Sequence, residues 1–360
     1  MIPVVRPYLP DKKKYEKLIS KIFDSSHLTN QGRYLEELEL RLSEYLDVNR
    51  LICVSSGSAA LHLAYKIYGL KSKILTSPFS YVATSSTLVW DNLIPDFIDI
   101  HPNSLNMHVD EEIFLKKFNI EGVVSTLVYG NPHGLEDLKK ECDKYNIPLI
   151  IDAAHAFGVR FNDRSVLKYC NAAALSFHAT KIFHTIEGGA LIVDTEESEE
   201  LARSYINFGI KSEGFEISGG TNYKMNEFEA AMGLCVLDDI DHIIEMRAHI
   251  SKRYNSELSD FCQLPEWPSN SKNNNAYAPI ILESEDNLLS VISNLKSKGI
   301  QARRYFYPSL DTIGYTHIEN SCEISRDIAR RVLCLPIYPQ LKDTEVSRII
   351  SSVKEALSMN

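Results

Sequence analysis

The sequence predicts an α/β fold, with a large domain built on a mixed, mostly parallel sheet and a small α/β domain at the C-terminal end. Two observations lead to this prediction. Short apolar runs alternate with helix-compatible segments, and a break rich in Pro, Asn and Ser interrupts the chain at 264–276. A chain of 360 residues is long enough to bury a large core and to carry a second, smaller one.

The apolar runs in the first half of the chain have the length and composition of buried strands. They occur at 51–54, 74–76, 96–100, 123–128, 148–152, 173–177 and 190–194. Helical patterns stand at 35–46, 58–68 and 135–145, the first with leucines at helical spacing. Parallel strands need crossover connections of this kind, which is why the sheet is expected to be mostly parallel.

A long helical pattern at 226–258 leads out of this region towards the break. The predicted domains are therefore 1–262, with an N-terminal arm and the large domain, and 263–360, the small domain. Within the small domain the expected elements are strands at 277–282 and 299–305 and helices at 287–298, 323–333 and 344–357.

Composition excludes several classes of function. The net charge is −10 and the pI is near 5.6, so neither a nucleic acid nor an anionic membrane is an expected partner. No apolar stretch has the length of a membrane span, and the first residues lack the core of a signal peptide. The seven cysteines are scattered without a CxxC pair, which predicts free thiols in a reducing cytoplasm and no metal site.

The segment PLIIDAAHAFG places an acid at the end of a predicted strand. Open α/β sheets build their sites at the carboxyl edge, so Asp152 is a candidate site residue. The alternative is that Asp152 only caps the following turn.

The segment SFHATKIFHTIEGGA places Lys181 between two apolar runs, five residues after Ser176 and before a Gly-Gly turn. Desolvation lowers the pKa of a lysine and leaves it partly neutral and nucleophilic towards an aldehyde. A lysine that decorates the surface is the alternative. A hydroxyl such as Ser176 can donate to a phosphate.

The segment CVSSGSAAL runs from a strand through small residues into a helix. Gly57 and Ser58 then lie at a helix N-terminus, where free backbone N–H groups suit a phosphate. Many α/β loops look like this, so the segment gains weight only together with Asp152 and Lys181. The three parts match the needs of pyridoxal 5′-phosphate (PLP): a lysine that bonds to it, an acid against its ring nitrogen, and donors for its phosphate.

The chain resembles the DegT/DnrJ/EryC1/StrS family of sugar aminotransferases, a branch of the fold-type I PLP-dependent transferases. The resemblance runs nearly from end to end. It is carried by IPVVRPYLP, LTNQGRYLEELE, SSGSAALHLA, SPFSYVATSSTLVWDNLIPDFIDI, VYGNPHGLEDL, IDAAHAFG, SFHATKIFHTIEGGAL, GGTNYKMNEFEAAMG, RRYFYPSL and LCLPIYPQLKDTEVSRII.

The resemblance implies a role for each site position. Lys181 would carry the cofactor and shuttle protons. Asp152 would pair with the ring nitrogen, His155 would sit near the phenolic oxygen, and Tyr81 would stack on the ring. Gly57, Ser58 and Ser176 would hold the phosphate, and Asn222 would reach the phosphate across the interface of a homodimer with shared active sites. Candidate substrate contacts are Thr29, His184, Arg303 and Tyr305, with His184 standing where the family often has asparagine. His178, beside the lysine, is expected to support the site without touching the substrate.

The resemblance also implies a reaction. L-Glutamate would donate an amino group, and the acceptor would be a nucleotide-linked keto sugar. The run from Ala302 to Pro308 resembles the subgroup that acts on C4 of dTDP-4-keto-6-deoxy-D-glucose, giving dTDP-4-amino-4,6-dideoxyglucose for surface glycans such as the lipopolysaccharide O-antigen. The alternatives are a 3-keto-sugar aminotransferase, a sugar dehydratase, and a PLP-fold regulatory or interaction protein. Lys181 argues against the dehydratase, which has histidine there.

Overall fold

The computed structural model of the chain describes residues 1–109, 119–210, 219–314 and 322–358. It begins with two helices, α1 (Lys12–Ser25) and α2 (Arg33–Leu46). The carboxylate of Asp11 caps α1 by accepting from the N–H of Lys13 at 2.8 Å. The sequence predicts α2, whereas α1 lies in what was expected to be an arm without regular structure.

A seven-stranded sheet forms the centre of the large domain. In chain order the strands of this region are β1 (Leu51–Val54), β2 (Lys73–Thr76), β3 (Ile94–Phe97), β4 (Ile120–Thr126), β5 (Leu149–Asp152), β6 (Arg160–Phe161), β7 (Arg164–Ser165), β8 (Ala172–Ser176) and β9 (Gly189–Val193). All except β6 and β7 form the sheet, in the order β1-β9-β8-β5-β4-β2-β3. The pairings from β8 to β3 are parallel and those of β9 are antiparallel, which confirms the predicted mixed, mostly parallel sheet.

Both faces of this sheet are buried. In β5, Leu149 and Ile151 belong to one hydrophobic cluster and Ile150 belongs to the cluster on the other face. Strands covered on both sides read as continuous apolar runs rather than as alternating patterns. That is why the strands could be found from the sequence.

Helices connect the strands and cover the sheet. They are α3 (Gly57–Ile67), α4 (Val82–Trp90), α5 (Leu135–Lys144), α6 (Glu196–Tyr205), α7 (Glu227–Leu237) and α8 (Ile240–Leu258). The single helical pattern predicted at 226–258 is thus two helices, α7 and α8. Asn226 begins the first of them with a capping box, accepting from the N–H of Glu229 at 3.0 Å.

The C-terminal part has a two-stranded sheet and three helices. Its elements are β10 (Ser271–Lys272), β11 (Pro279–Ile281), α9 (Glu285–Ser297), α10 (Glu323–Arg331), β12 (Val332–Cys334) and α11 (Asp343–Ser358). β11 and β12 pair antiparallel, while β10 pairs with β6 beside the large sheet. A separate hydrophobic cluster unites α9, α11 and the end of α8. The domain boundary at 262/263 stays a prediction.

Two predicted elements of this part are wrong. Residues 299–305 form no strand: they make only single bridges, from Ile300 to Ile2 and from Arg303 to Cys334. The helix expected at 323–333 ends at Arg331, because Val332 and the two residues after it pair with β11. Among the described residues, no helix has the length and hydropathy needed to cross a membrane.

Candidate active site

The candidate site lies at the edge of the large sheet where three parallel neighbours end. Thr126 at the end of β4 is in register with Asp152 at the end of β5, and β8 ends beside them at Ser176. The carboxyl ends of parallel strands meet at one edge, where α/β proteins form their binding sites. The sheet topology therefore brings these side chains together although they are far apart in the sequence.

Asp152 is buried, and both of its carboxylate oxygens accept hydrogen bonds. Its Oδ1 accepts from the N–H of Ala154 at 3.1 Å, so Asp152 does cap the following turn. Its Oδ2 accepts from the hydroxyl of Thr84 at 2.6 Å. These donors stabilise the negative charge of a carboxylate that is only 6% exposed.

A cluster of buried hydroxyl groups surrounds Thr84, and the sequence analysis missed it. The hydroxyl of Ser80 lies 2.6 Å from that of Thr84 and 2.8 Å from that of Thr126. Such a network fixes the direction of each proton, because every member must donate and accept in turn. The only sequence signal was a run of small hydroxyl residues after β2, and that run gives no hint of Asp152.

Lys181 follows β8 and points into the same cavity as Asp152. Burial lowers the pKa of Lys181 from 10.5 to about 8, although the charge of Asp152 and the nearby Tyr81 act to raise it. Its Nζ donates to the hydroxyl oxygen of Tyr277 at 3.4 Å. The sequence analysis had expected a desolvated amine here, and a substantial fraction of this amine is neutral near pH 7 to 8.

His155 lies under the cavity as a neutral ring. The N–H of Tyr129 donates to its Nδ1 at 3.2 Å, so the ring proton is on Nε2, which can donate. Burial, with Lys181 nearby, holds the pKa of His155 well below its usual range. The ring is stacked on Phe306, with centroids 5.6 Å apart. These contacts fix both the orientation and the tautomer of His155.

Gly57 and Ser58 form the first turn of α3. The helix is capped by Ser56, whose hydroxyl accepts from the N–H of Ala59 at 3.1 Å, and the N–H groups of Gly57 and Ser58 have no acceptor within the helix. A Cβ on Gly57 would stand 2.9 Å from the Cβ of Ser176. Glycine therefore lets the helix start and the end of β8 approach closely enough to form one phosphate-sized cradle.

A cavity of about 310 Å³ connects these groups. It is lined by most of the predicted site residues and by two groups from the C-terminal part: Gly57, Ser58, Tyr81, Asp152, His155, Ser176, His178, Lys181, Arg303 and Tyr305. A volume of this order suits a compact cofactor. Acid, neutral donor, amine and free N–H groups stand in one cavity, and this donor set fits PLP.

Three predicted residues do not line this cavity. His184 is buried, and its two nitrogens are engaged by the carbonyl of Tyr8 at 2.7 Å and the N–H of Ile186 at 3.3 Å, so the structure gives it no route to a substrate. Thr29 is exposed on the connection between α1 and α2. Asn222 is also exposed, and its Oδ1 accepts from the N–H of Lys224 at 3.4 Å. Residues 214–218 of its loop lie outside the described residues.

Comparison with known proteins shows what this architecture is similar to. The family model of the DegT/DnrJ/EryC1/StrS aminotransferases matches residues 10–354. A dTDP-4-amino-4,6-dideoxy-D-glucose transaminase of Shigella dysenteriae is 35% identical over 98% of both chains. A GDP-perosamine synthase of Vibrio cholerae is 27% identical, again over 98% of both.

A crystal structure of DesI in the presence of its TDP-sugar product superimposes with a TM-score of 0.93 at 27% identity, covering 99% of this chain and 93% of that one. The likeness confirms the predicted fold-type I architecture. A match over nearly the whole length, on a cavity with this donor set, shows the family. The chain belongs to the DegT/DnrJ/EryC1/StrS aminotransferase family and is a PLP-dependent sugar aminotransferase.

Proposed function

We propose that the protein transfers an amino group from L-glutamate to C4 of dTDP-4-keto-6-deoxy-D-glucose, giving dTDP-4-amino-4,6-dideoxyglucose. The observation that carries the proposal is the convergence of Lys181, Asp152 and the start of α3 on one cavity. The Shigella dysenteriae relative, at 35% identity, supports the choice of sugar. We further infer a cytoplasmic enzyme whose product enters surface glycans such as the O-antigen.

At one end of the cavity, the N–H groups of Gly57 and Ser58 and the hydroxyls of Ser58 and Ser176 would hold the cofactor phosphate. The positive end of the α3 dipole favours the same charge. The cradle is tightly built, because a Cβ at Gly189 would stand 2.6 Å from the backbone nitrogen of Gly57.

At the floor of the cavity, Asp152 would keep a proton on the ring nitrogen of PLP, and the Nε2–H of His155 would donate to its phenolic oxygen. Tyr81, 52% exposed at the start of α4, would cover the ring. PLP supplies an electron sink for the carbon that loses its proton. The fixed hydrogen bonds of Asp152 allow it to keep its charge in this buried position.

Lys181 would bond to the cofactor between turnovers and act as the acid and base during them. Its Nζ would take the proton from the donor carbon and return a proton to the sugar carbon that receives the amine. A base whose pKa of about 8 lies near the working pH can do both. General acid–base transfer of this kind contributes on the order of 10²–10⁴ in rate.

The substrate end of the cavity would be formed by Arg303 and Tyr305. The guanidinium of Arg303 lies 4.7 Å over the ring of Tyr305 and stands exposed at the cavity. It is a suitable partner for the diphosphate of a nucleotide sugar, because a guanidinium can bind phosphate oxygens in pairs. The net charge of −10 makes such a local cation necessary for an anionic substrate.

We also propose a homodimer in which Asn222 reaches the phosphate cradle of the partner subunit. The support is its exposure and its surroundings: Phe208 is 52% exposed and Ile210 37% exposed. Apolar side chains exposed in one region are typical of an interface. The carbonyl of Tyr223 accepts from the N–H of Ser55 at 2.9 Å, so the segment runs beside its own cradle loop.

The experiment that tests the reaction offers the enzyme L-glutamate and a panel of sugars. The panel holds dTDP- and GDP-linked 4-keto-6-deoxyhexoses and a dTDP-linked 3-keto isomer, and the products are identified by mass and NMR. We expect amination at C4 of the dTDP sugar. Amination of the 3-keto isomer alone, or of the GDP sugar alone, would overturn the substrate assignment, and loss of water without amination would indicate a dehydratase.

Two variants test the assignment of residues. Borohydride should fix the cofactor on the peptide that contains Lys181, and Lys181→Ala should bind PLP without turning over. Mixing Lys181→Ala with Asn222→Ala should restore activity, since heterodimers then contain one site with both residues intact. An active enzyme that remains monomeric in solution would refute the shared site.

A further inference from the structure

Tyr277 stands at the cavity beside Lys181, and neither its position in the sequence nor its neighbours suggested a role. It comes directly after the break at 264–276 and precedes β11. Its hydroxyl oxygen lies 3.4 Å from the Nζ of Lys181. Among the described residues, Tyr277 is the hydrogen-bond acceptor that this amine contacts.

The backbone next to Tyr277 is held from two sides. Buried Asn274 donates from Nδ2 to the carbonyls of His155 and Phe157, both at 2.9 Å, and its Oδ1 accepts from the N–H of Ala276 at 3.0 Å. The carbonyl of Ala276 accepts from the Nη1 of Arg247 at 3.2 Å. Residues 274–276 are therefore clamped to the strand-end loop that carries His155.

The ring of Tyr277 is held as firmly as its backbone. It lies 4.5 Å from the ring of His155, and 5.6 Å from the rings of both Tyr129 and Tyr305. Aromatic contacts on three sides leave the hydroxyl little freedom to swing away from Lys181.

Arg247 below this cluster is an unusual residue to bury. It is 3% exposed, its Nε has no hydrogen-bond partner, and burial lowers its pKa to about 10. An incompletely satisfied buried cation costs stability. Its contact with the carbonyl of Ala276 places that cost directly behind Tyr277.

We propose that Tyr277 is a positioning residue, whose phenolic oxygen holds the amino group of Lys181 within the cavity whenever that amine is not bonded to the cofactor. The inference rests on the proposed function, in which Lys181 is bonded at one stage and free at another. An unheld lysine chain has several rotatable bonds and would lose its aim at the reacting carbon. The clamped backbone and the packed ring make Tyr277 a fixed reference point.

The amine also senses other groups that line the same cavity. The titratable and charged ones are Tyr81, Asp152, His155, His178, Glu187, Arg303 and Tyr305. Of the groups around Nζ, Tyr277 is removed most cleanly by substitution, because Tyr277→Phe deletes one oxygen and keeps the ring.

The test measures the protonation of Lys181 in the full chain after the cofactor has been removed. Competitive acylation from about pH 6 to about pH 11, with the peptide containing Lys181 quantified by mass spectrometry, gives its pKa. A hydroxyl oxygen binds the charged ammonium more strongly than the neutral amine. Tyr277→Phe should therefore lower the pKa of Lys181 from about 8 by roughly 1.

Tyr129→Phe is the matched control. Its hydroxyl donates to the carbonyl of Tyr305 within the same aromatic cluster and does not contact Lys181, so the pKa of Lys181 should stay near 8. An unchanged pKa in Tyr277→Phe, or an equal fall in both variants, would overturn the inference. Misfolding cannot imitate the expected result, because an unfolded lysine titrates near 10.4, in the opposite direction.

Failure of the proposed function would show differently. If borohydride fixes no cofactor on Lys181, the assignment of that lysine is wrong whatever its pKa. If the cofactor is fixed there and Tyr277→Phe leaves the pKa unchanged, only the role of Tyr277 falls.

Discussion

Capture of PLP by the cofactor-free chain should depend on pH in a way that reports the buried state of Lys181. Only a neutral amine attacks an aldehyde. With a pKa of about 8, about one Lys181 amine in eleven is neutral at pH 7; with the ordinary value of 10.5, about one in three thousand would be. Burial therefore raises the reactive fraction by a factor of about 300.

Stopped-flow absorbance after mixing PLP with the cofactor-free chain measures this rate. It should rise about tenfold per pH unit below about pH 7 and level off above about pH 8, because the amine is then mostly neutral. A free lysine derivative, run in parallel, controls for the titration of PLP itself and should keep accelerating towards its own pKa. A protein rate that follows the free amine up to about pH 10 would refute the desolvation argument.

Three substitutions test the rest of the site. Asp152→Asn should bind PLP and lose most activity, measured as kcat, because an amide cannot hold the ring nitrogen protonated; an unimpaired variant would reduce Asp152 to a turn cap. Thr84→Val should lower the free energy of unfolding by about 1–3 kcal/mol, measured by urea titration, since it leaves an oxygen of Asp152 without its donor. Gly189→Ala should weaken PLP binding in an equilibrium titration, because its Cβ would stand 2.5 Å from the backbone carbon of Ser56. Gly314→Ala, where a Cβ meets no atom within 4 Å, should bind PLP normally.

The strands of the large sheet could be predicted because each is covered on both faces. β5 and β8 are buried throughout, apart from the partly exposed Ser176. A run of four or five apolar residues bounded by turns is a local signal, and burial on both faces preserves it. The order of the strands is not local, since it depends on which crossovers pack together.

The predictions failed where a distant partner decides the structure. Val332–Cys334 looks like the end of a helix until β11, some fifty residues earlier, offers it an edge. Residues 299–305 are apolar enough for a strand, but they meet only single partners at Ile300 and Arg303. The propensities of such short segments are weak, and tertiary pairing overrides them.

The site divides along the same line. Asp152, Lys181 and Gly57 were found because each carries a local signal at a strand end or a helix start. Thr84 and Tyr277 carry none: a hydroxyl matters only through the atom it meets, and that atom belongs to another element. His184 shows the converse, since it lies three residues from Lys181 and is nevertheless bonded to the carbonyl of Tyr8.

Asp152 and Lys181 meet the same buried environment with opposite results. Burial disfavours any charge. Around Asp152 the hydroxyl of Thr84 and the N–H of Ala154 offset that penalty, so a carboxylate can persist beneath the cavity. Around Lys181 one phenolic oxygen at 3.4 Å offsets it only in part, and the pKa settles near 8. The number of fixed donors and acceptors supplied by neighbouring elements therefore separates a permanent anion from an amine that can both accept and return a proton near neutral pH.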